Sequence, residues 1–306
     1  MGDRQITLFK TSLRLLARWG NTLMQDTKVD FYHALGTATT AAKAAASILT
    51  TYANDHRKLA IDHKSRNDLV SQADRDAEHA ILQVMREQTP EIAIVAEESG
   101  NSANLDQAQF AWFIDPLDGT TNFLHGIPHY AVSIGLVARA GTVLTPNTEP
   151  LAVDTPIVGV VYDPNRQEMF SAVYQDGCFL NGQAIYTSQA KSLEDSLLAT
   201  GVPFRDFSFE EPYMKGFKEA MHNTRGIRRL GSAALDLAWV ACGRFDGYWE
   251  MGLAPYDVCA GTILVREAGG VVNDIYKKEA WPRAGNIIAS NKNISTSFGE
   301  MIRQQL

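Results

Sequence analysis

Trp112-Phe-Ile-Asp115-Pro-Leu-Asp118-Gly-Thr-Thr-Asn-Phe123 is the stretch on which the reading of this chain turns. An apolar strand runs straight into Asp115-Pro116, which sets the first carboxylate at the strand's end. Pro116 has a fixed φ and keeps the residue before it out of the helical region, so the turn is held in shape. Asp118 follows three residues on, near enough for both carboxylates to face one point. Gly119-Thr120-Thr121 then offers a place for a short helix to begin, its first N–H groups outward. Taken alone, Asp-Pro-x-Asp-Gly is an ordinary turn, because each residue is a common turn former. As two acids beside exposed amides, it suits a hard divalent cation bridged to a phosphate.

Other acids fall in comparable places. Glu97-Glu98 follows a strand over Ile92–Val95, Asp74 opens a helix that runs to Gln88, and Asp257 precedes the apolar helix Val258–Ala268. Singly, these read as a solvated surface pair, a helix start and an N-cap. Jointly, they put acids at strand ends and helix starts in both halves of the chain. Carboxylates gather only where cations neutralise them, since like charges repel and raise one another's pKa. A set of oxygen donors favours Mg2+ over zinc. His125 and His129 bracket Gly-Ile-Pro and read as loop residues, not as ligands.

Around these sites the chain divides in two. With 306 residues, 45% of them hydrophobic and 21% charged, there is material for two compact units and none of the bias of a disordered chain. Helices are expected over Ala38–Ala53 and Asp74–Gln88, then strands over Ile92–Val95, Phe110–Ile114, Val132–Val137, Ile157–Tyr162 and Glu168–Val173. Asp176-Gly177 and Asn181-Gly182 are tight-turn dipeptides, and Thr145–Pro156 reads as loop. Strands in succession without helices between them predict an antiparallel sheet in an α+β unit over 31–186. Past about Ser188 strands and helices alternate: Leu197–Thr200, Phe209–His222, Ala233–Cys242, Phe245–Trp249, Asp257–Ala268, Val271–Asn273, Ile287–Ser290 and a C-terminal helix. That rhythm predicts a mixed-sheet α/β unit over 187–306. Residues 1–30 stand apart as an appended helix or extension, with Ile6, Phe9, Leu13 and Leu16 on one stripe among Lys10, Arg14 and Arg18.

A formal net charge of −7 argues against a general nucleic-acid binder, so any phosphate must be met by amides, a few placed cations or metal ions. Cys178, Cys242 and Cys259 form no C-x-x-C pair, which predicts a reduced interior and a cytoplasmic protein. No apolar run is long enough to span a membrane. No Ser, Cys or His sits in the acidic constellation as an activated nucleophile, so no phosphoenzyme is expected.

Four blocks give the sequence its resemblance to the inositol monophosphatase family of metal-dependent sugar phosphatases. They are Asp68-Leu-Val-Ser-Gln-Ala-Asp74, Ala96-Glu97-Glu98-Ser99, Trp112–Phe123, and Glu250-Met-Gly-Leu-Ala-Pro-Tyr-Asp257 continuing through Gly270. Their order matches the family's over roughly residues 38–306. The resemblance implies a layered αβαβα sandwich that hydrolyses inositol monophosphate with two to three Mg2+ ions, sensitive to Li+. It implies metal ligation by Glu97, Asp115, the main-chain carbonyl of Leu117, Asp118 and Asp257. Asp74 and Thr120 would pair beside the nucleophilic water, with Glu97 close to it and Glu98 a nearby loop acid. Gly119, Thr120 and Thr121 would meet the phosphate, while Gly231, Ser232, Ala233 and Glu250 would contact the polyol. Lys64 is a further candidate near the phosphate. Tyr256 stands where the family usually has Trp, and Cys259 replaces a usual Ala. A homodimer is also implied. Related phosphatases act on fructose 1,6-bisphosphate, NADP, histidinol phosphate or 3′-phosphoadenosine nucleotides, and Thr121-Asn122 departs from the Lys-Glu usual in the nucleotide branch. Some bacterial relatives join the transcription antitermination machinery, for which Arg225, Arg228 and Arg229 offer a basic surface.

Overall fold

The computed structural model describes residues 29–54, 61–65, 68–102, 105–145, 148–203, 206–279 and 281–306. The helix expected within 1–30 therefore lies outside the described residues, apart from its last two positions. Helix α1 (Phe31–Ala53) starts earlier than its Ala-rich core suggested, because Asp30 caps it by accepting from the amides of Tyr32 and His33. A hairpin, β1 (Ile61–Ser65) and β2 (Asp68–Ser71), leads into α2 (Gln72–Gln88). Sequence periodicity missed this hairpin, which puts the backbone of Lys64 in a strand.

The large sheet has eight strands: β3 (Ala93–Ala96), β4 (Gly100–Asn101), β5 (Phe110–Asp118), β6 (Ala131–Ala138), β7 (Thr155–Asp163), β8 (Glu168–Val173), β9 (Gly177–Leu180) and β10 (Gln183–Ile185). Between β5 and β6 lies the short helix α3 (Thr120–Leu124). From β5 to β10 neighbours are antiparallel, as expected, with Asp176-Gly177 and Asn181-Gly182 at the turns. One pairing differs from the expectation: β3 runs parallel to β5, because β4 and a short 3-10 helix carry the chain back between them. Thr155 and Pro156, assigned to a loop, open β7 instead.

The second sheet pairs β12 (Gly226–Arg228), β11 (Leu197–Thr200), β13 (Gly247–Glu250), β15 (Ile287–Ser290) and β14 (Val271–Asp274) in that order. It is mixed: β11 is parallel to β12 and β13, and β15 is antiparallel to β13 and β14. Helices α4 (Glu210–Asn223), α5 (Ala233–Ala241), α6 (Pro255–Glu267) and α7 (Ser295–Arg303) complete the chain.

Packing stacks these elements in five layers. Helices α1 and α2 cover the outer face of the large sheet through Ala38, Ala42, Leu49, Ile81 and Met85. Helices α5 and α6 lie between the sheets, sharing one core with Phe113, Val161, Tyr248 and Ala289. The outer face of the small sheet is covered by α4 and α7 through Tyr213, Phe298 and Ile302. A helix between two sheets must be apolar all round, and Val258 through Val265 are all buried. Among the described residues, no helix is long and apolar enough to cross a membrane.

The seat of α6 is cut by two glycines that face each other across β6 and β7, Gly135 and Gly159. A Cβ on Gly135 would stand 2.4 Å from the Cys259 sulfur; one on Gly159 would stand 2.8 Å from the Ala260 carbonyl oxygen and 2.5 Å from Ile263 Cγ2. Gly159→Ala should therefore destabilise the protein by about 1–3 kcal/mol through overpacking. Gly36→Ala, on α1 with no neighbour within 4 Å of the added atom, should instead stabilise it by about 0.5–1 kcal/mol. Equilibrium urea unfolding of both variants checks the opposite signs.

Candidate active site

Three residues apart on a regular strand, Asp115 and Asp118 would point to opposite faces of the sheet. They do not, because β5 carries a bulge between them. Asp115 pairs with Ser133 and Asp118 with Ala131, so β5 uses one residue more than β6 over this span. The strand thus continues to Asp118 where it was expected to end near Asp115. The bulge is tied locally: the Leu117 amide donates to Asp115 Oδ1 at 2.9 Å. Gly119 then turns at φ 102°, in the left-handed region, and α3 begins at Thr120.

Asp74 and Asp257 reach the same region by a shared device. Each is the third residue of its helix, not the residue before it as an N-cap reading of Asp257 requires. From there each carboxylate accepts from the amide preceding the helix, Ser71 N to Asp74 Oδ2 at 2.8 Å and Ala254 N to Asp257 Oδ2 at 2.7 Å. The Ser71 hydroxyl adds a 2.6 Å bond to Asp74 Oδ2. Thr120 links this helix to the bulge: its hydroxyl lies 3.2 Å from Asp74 Oδ1 and 3.1 Å from the Leu117 carbonyl oxygen. Asp118 crosses to the other half of the chain, where Ser232 Oγ and the Ala234 amide both donate to its Oδ2 at 2.6 Å.

Glu97 continues the line of β3, its amide donating to the Ile114 carbonyl at 3.1 Å. The turn after it is held by a residue that sequence reasoning missed. Glu78, buried on α2, accepts from the amides of Glu98 and Ser99, both at 2.8 Å. Its position one helical turn after Asp74, on the same buried face, was the available signal.

Burial and mutual repulsion dominate the electrostatics. Asp115 is 2% exposed, and its carboxyl is pushed well above the ordinary range by desolvation, then by the charges of Glu97, Asp118 and Asp257. Desolvation also raises Asp118, to about 6, against the lowering effect of Ser232 and the α5 amides. Asp74 is raised by burial and by Glu98. Glu97, Asp118 and Asp257 thus act on Asp115 although the four acids come from three separate parts of the fold, the end of β3, the bulged end of β5 and the start of α6. Among the described residues no three such side chains are already closed into a ligand set. The donors nevertheless fit a hard dication: all are oxygens, and the charges acting on the most buried of them are negative.

Beyond Asp118 lies the proposed polyol side. Gly231 turns at φ 84°. Ser232 caps α5 with its hydroxyl directed to Asp118, and Ala233 opens that helix. Glu250, at the end of β13, accepts from Tyr248 Oη at 2.5 Å. Gly201 leaves the space that Glu250 occupies, since a Cβ there would stand 1.9 Å from its carboxylate. Asp236, 1% exposed on α5, is pushed well up by burial and by Glu250, and its Oδ1 has no hydrogen-bond partner. Thr121 is exposed beside Thr120. His125 follows the last turn of α3, and the buried His129 packs edge-on against Trp239 at 5.4 Å. The side chain of Lys64 lies outside the described residues.

Comparison with known proteins supplies independent findings. A family model described as the inositol monophosphatase family matches residues 32–305. The chain is 43% identical over 243 residues to the "Inositol-1-monophosphatase" of Synechocystis sp., covering 79% of each protein. It is 38% identical over 272 residues to the "Nus factor SuhB" of Escherichia coli K12, covering 89% of this chain and 96% of that one. A crystal structure of the "extragenic suppressor protein suhB" from Bartonella henselae superposes with a TM-score of 0.80 at 37% identity, over 89% of this chain and 99% of the other.

The raised carboxyl of Asp118 has a consequence for stability. An acid held at about 6 when folded and near 3.8 when unfolded binds more protons folded between those values. Its unfavourable burial is thus fully felt above about pH 6 and relieved as pH falls toward 4. In chelator, Asp118→Asn should be more stable than wild type at pH 7.5 by about 1–3 kcal/mol, with the gap closing on acidification. Thermal unfolding across pH checks this, and Mg2+ should raise the wild-type melting temperature more than the variant's.

Proposed function

The chain belongs to the inositol monophosphatase family, and on that footing we propose that it is a Mg2+-dependent phosphate monoester hydrolase acting on inositol monophosphate. The observation that carries this reading is the buried Asp115 carboxyl, around which Glu97, Asp118 and Asp257 crowd. Together with the Leu117 carbonyl these residues would hold the metal ions, two to three in number. Bound Mg2+ supplies a water of lowered pKa and neutralises charge on the leaving oxygen.

The protein's own groups act on the water and on the ester. Thr120 has one hydroxyl proton and two acceptors for it, Asp74 Oδ1 and the Leu117 carbonyl. While donating to either, its oxygen still accepts from a water and so aims that water's lone pair. Asp74 has its Oδ2 saturated by Ser71, which leaves Oδ1 as the oxygen facing Thr120. Its raised pKa makes it a better proton acceptor than an exposed aspartate. Gly119, Thr120 and Thr121 would offer amides and hydroxyls to the equatorial phosphate oxygens. Glu250, fixed by Tyr248, accepts from leaving-group hydroxyls.

Fructose 1,6-bisphosphate, NADP and 3′-phosphoadenosine nucleotides are the alternative substrates within the family. A homodimer is part of the same proposal. A second reading, recruitment into transcription antitermination, is favoured by the 38% identity that spans 96% of the Escherichia coli "Nus factor SuhB".

Asp115→Asn should lower kcat by about 100- to 10,000-fold, the several kcal/mol that metal-borne charge stabilisation contributes, while its circular dichroism stays that of the wild type. Phosphate release from inositol 1-phosphate, fructose 1,6-bisphosphate, NADP and 3′-phosphoadenosine compounds, with and without chelator, is the measurement. Near-normal turnover by the variant in Mg2+ would end the metal-site assignment. For the second reading, retention of antitermination components by both wild type and Asp115→Asn at physiological salt is expected, and retention by neither removes it.

A further inference from the structure

Residues 281–286, on the way from β14 to β15, touch both segments that carry the most distant pair of acids. The stretch is folded on itself: the Arg283 amide donates to the Trp281 carbonyl at 2.7 Å and the Gly285 amide to the Pro282 carbonyl at 2.9 Å. Arg283 ties its outer side to Asp154 at 3.3 Å. At one end, Trp281 is 3% exposed and packs edge-on against Phe113, ring centroids 5.8 Å apart. Phe113 lies two residues before Asp115 on the inner face of β5, in the last regularly paired stretch ahead of the bulge. At the other end, three successive amides donate in turn. Gly252 donates to Asn286 Oδ1 at 3.3 Å, Leu253 to the Gly285 carbonyl at 3.2 Å, and Ala254 to Asp257 Oδ2 at 2.7 Å. Gly285 has φ 74°, and a Cβ on it would stand 1.8 Å from the Leu253 carbonyl oxygen. A side chain there therefore moves Leu253 and, next to it, the amide that holds Asp257.

We propose that Trp281 and Gly285 are positioning residues for the metal site, one folded segment of the second sheet setting Asp115 and Asp257 against each other and so fixing the affinity for a divalent cation. The assignment rests on the metal-site reading given above and deepens it. Neither residue is a ligand. The need for them follows from what the two acids lack. Past Asp115 the bulge interrupts the register of β5, so the strand end is steadied by the packing of Phe113. The residue before α6, Ala254, has no side-chain cap to offer, so the start of that helix is placed through the backbone ahead of it. Like charges brought together push apart unless something rigid opposes them. With the segment in place, the spacing is set before a cation arrives. Without it, the cation must draw the carboxylates together, and that cost appears as weaker binding by an unchanged set of ligands.

The test is a Mg2+ titration of the full chain, read by calorimetry and by the rise in melting temperature, on Trp281→Leu, Trp281→Phe, Gly285→Ala and the control Ile302→Ala. Ile302 is buried on the outer face of the small sheet, so its truncation also destabilises the fold but leaves residues 281–286 alone. In Trp281→Leu and Gly285→Ala the half-saturating Mg2+ concentration should rise about tenfold, while kcat at saturating Mg2+ stays near the wild-type value. Trp281→Phe, which keeps a ring against Phe113, should restore most of the affinity. Should Gly285→Ala not fold by circular dichroism, Trp281→Leu decides alone, since it leaves the backbone bonds of Leu253 and Ala254 in place. A lowered melting temperature in chelator with an unchanged Mg2+ midpoint would show a merely structural role and overturn the assignment. An equal shift in Ile302→Ala would overturn it too. Mg2+ binding that follows this pattern in a protein releasing phosphate from no ester would remove the hydrolase reading and leave this one standing, and no Mg2+ binding by the wild type would remove both.

Discussion

Repulsion among acids that the fold forces together is the constraint to which the rest of this structure answers. Glu97, Asp115, Asp118 and Asp257 come from a strand end, a bulge and a helix start, and Asp115 is nearly without solvent. Left to themselves such groups would separate or neutralise. Each aspartate is held by a short bond to one of its oxygens: the Leu117 amide on Asp115, Ser232 and Ala234 on Asp118, the Ala254 amide on Asp257. Glu97 is placed through its own backbone and through the turn that Glu78 grips. Charge-assisted bonds of this kind contribute about 1.5–3 kcal/mol each, enough to hold a strained arrangement. The site is therefore preorganised by backbone amides, and its geometry does not depend on long flexible side chains.

The same bonds also join the two halves of the chain. Asp118 belongs to the large sheet but takes its partners from the first turn of α5, which lies between the sheets. Asn122 repeats the link, donating to the Leu230 carbonyl at 2.8 Å while also holding the His129 carbonyl. Below them, the facing glycines of β6 and β7 let α6 sit against the sheet, which brings Asp257 at its third residue toward Asp115. A loss of packing at that seat would thus be felt in the spacing of the acids.

Much of this was legible in the sequence. The apolar periods of α1, α2, α5 and α6 and the successive short strands predicted the elements and the two kinds of sheet, the layering came from the family resemblance, and the acid blocks singled out Glu97, Asp115, Asp118 and Asp257. What was not legible depended on pairing between distant segments. The strand over Phe110–Ile114 looked complete before Pro116, and only its register against β6 reveals the bulge that turns Asp118 to the side of Asp115. The parallel setting of β3 against β5 needed the connection through β4. Glu78 and Asp236 are acids within helices, and that both are buried follows from tertiary packing.

The placement of Asp74 and Asp257 at the third position of their helices carries a further implication. At that position an aspartate serves the helix and the site with different oxygens. Asp74 accepts from Ser71 through Oδ2 and presents Oδ1 to Thr120, so the bond that starts the helix also sets the direction of the second oxygen. An N-cap acid could not do this, since its side chain folds back over the amides that follow it. The Ser71 hydroxyl and amide are then as much part of the site as Asp74 is, although neither faces the substrate. It follows that the Ser-x-x-Asp signal of helix initiation coincides here with the placement of the Asp74 oxygen that faces Thr120, because the bonds from Ser71 perform both tasks.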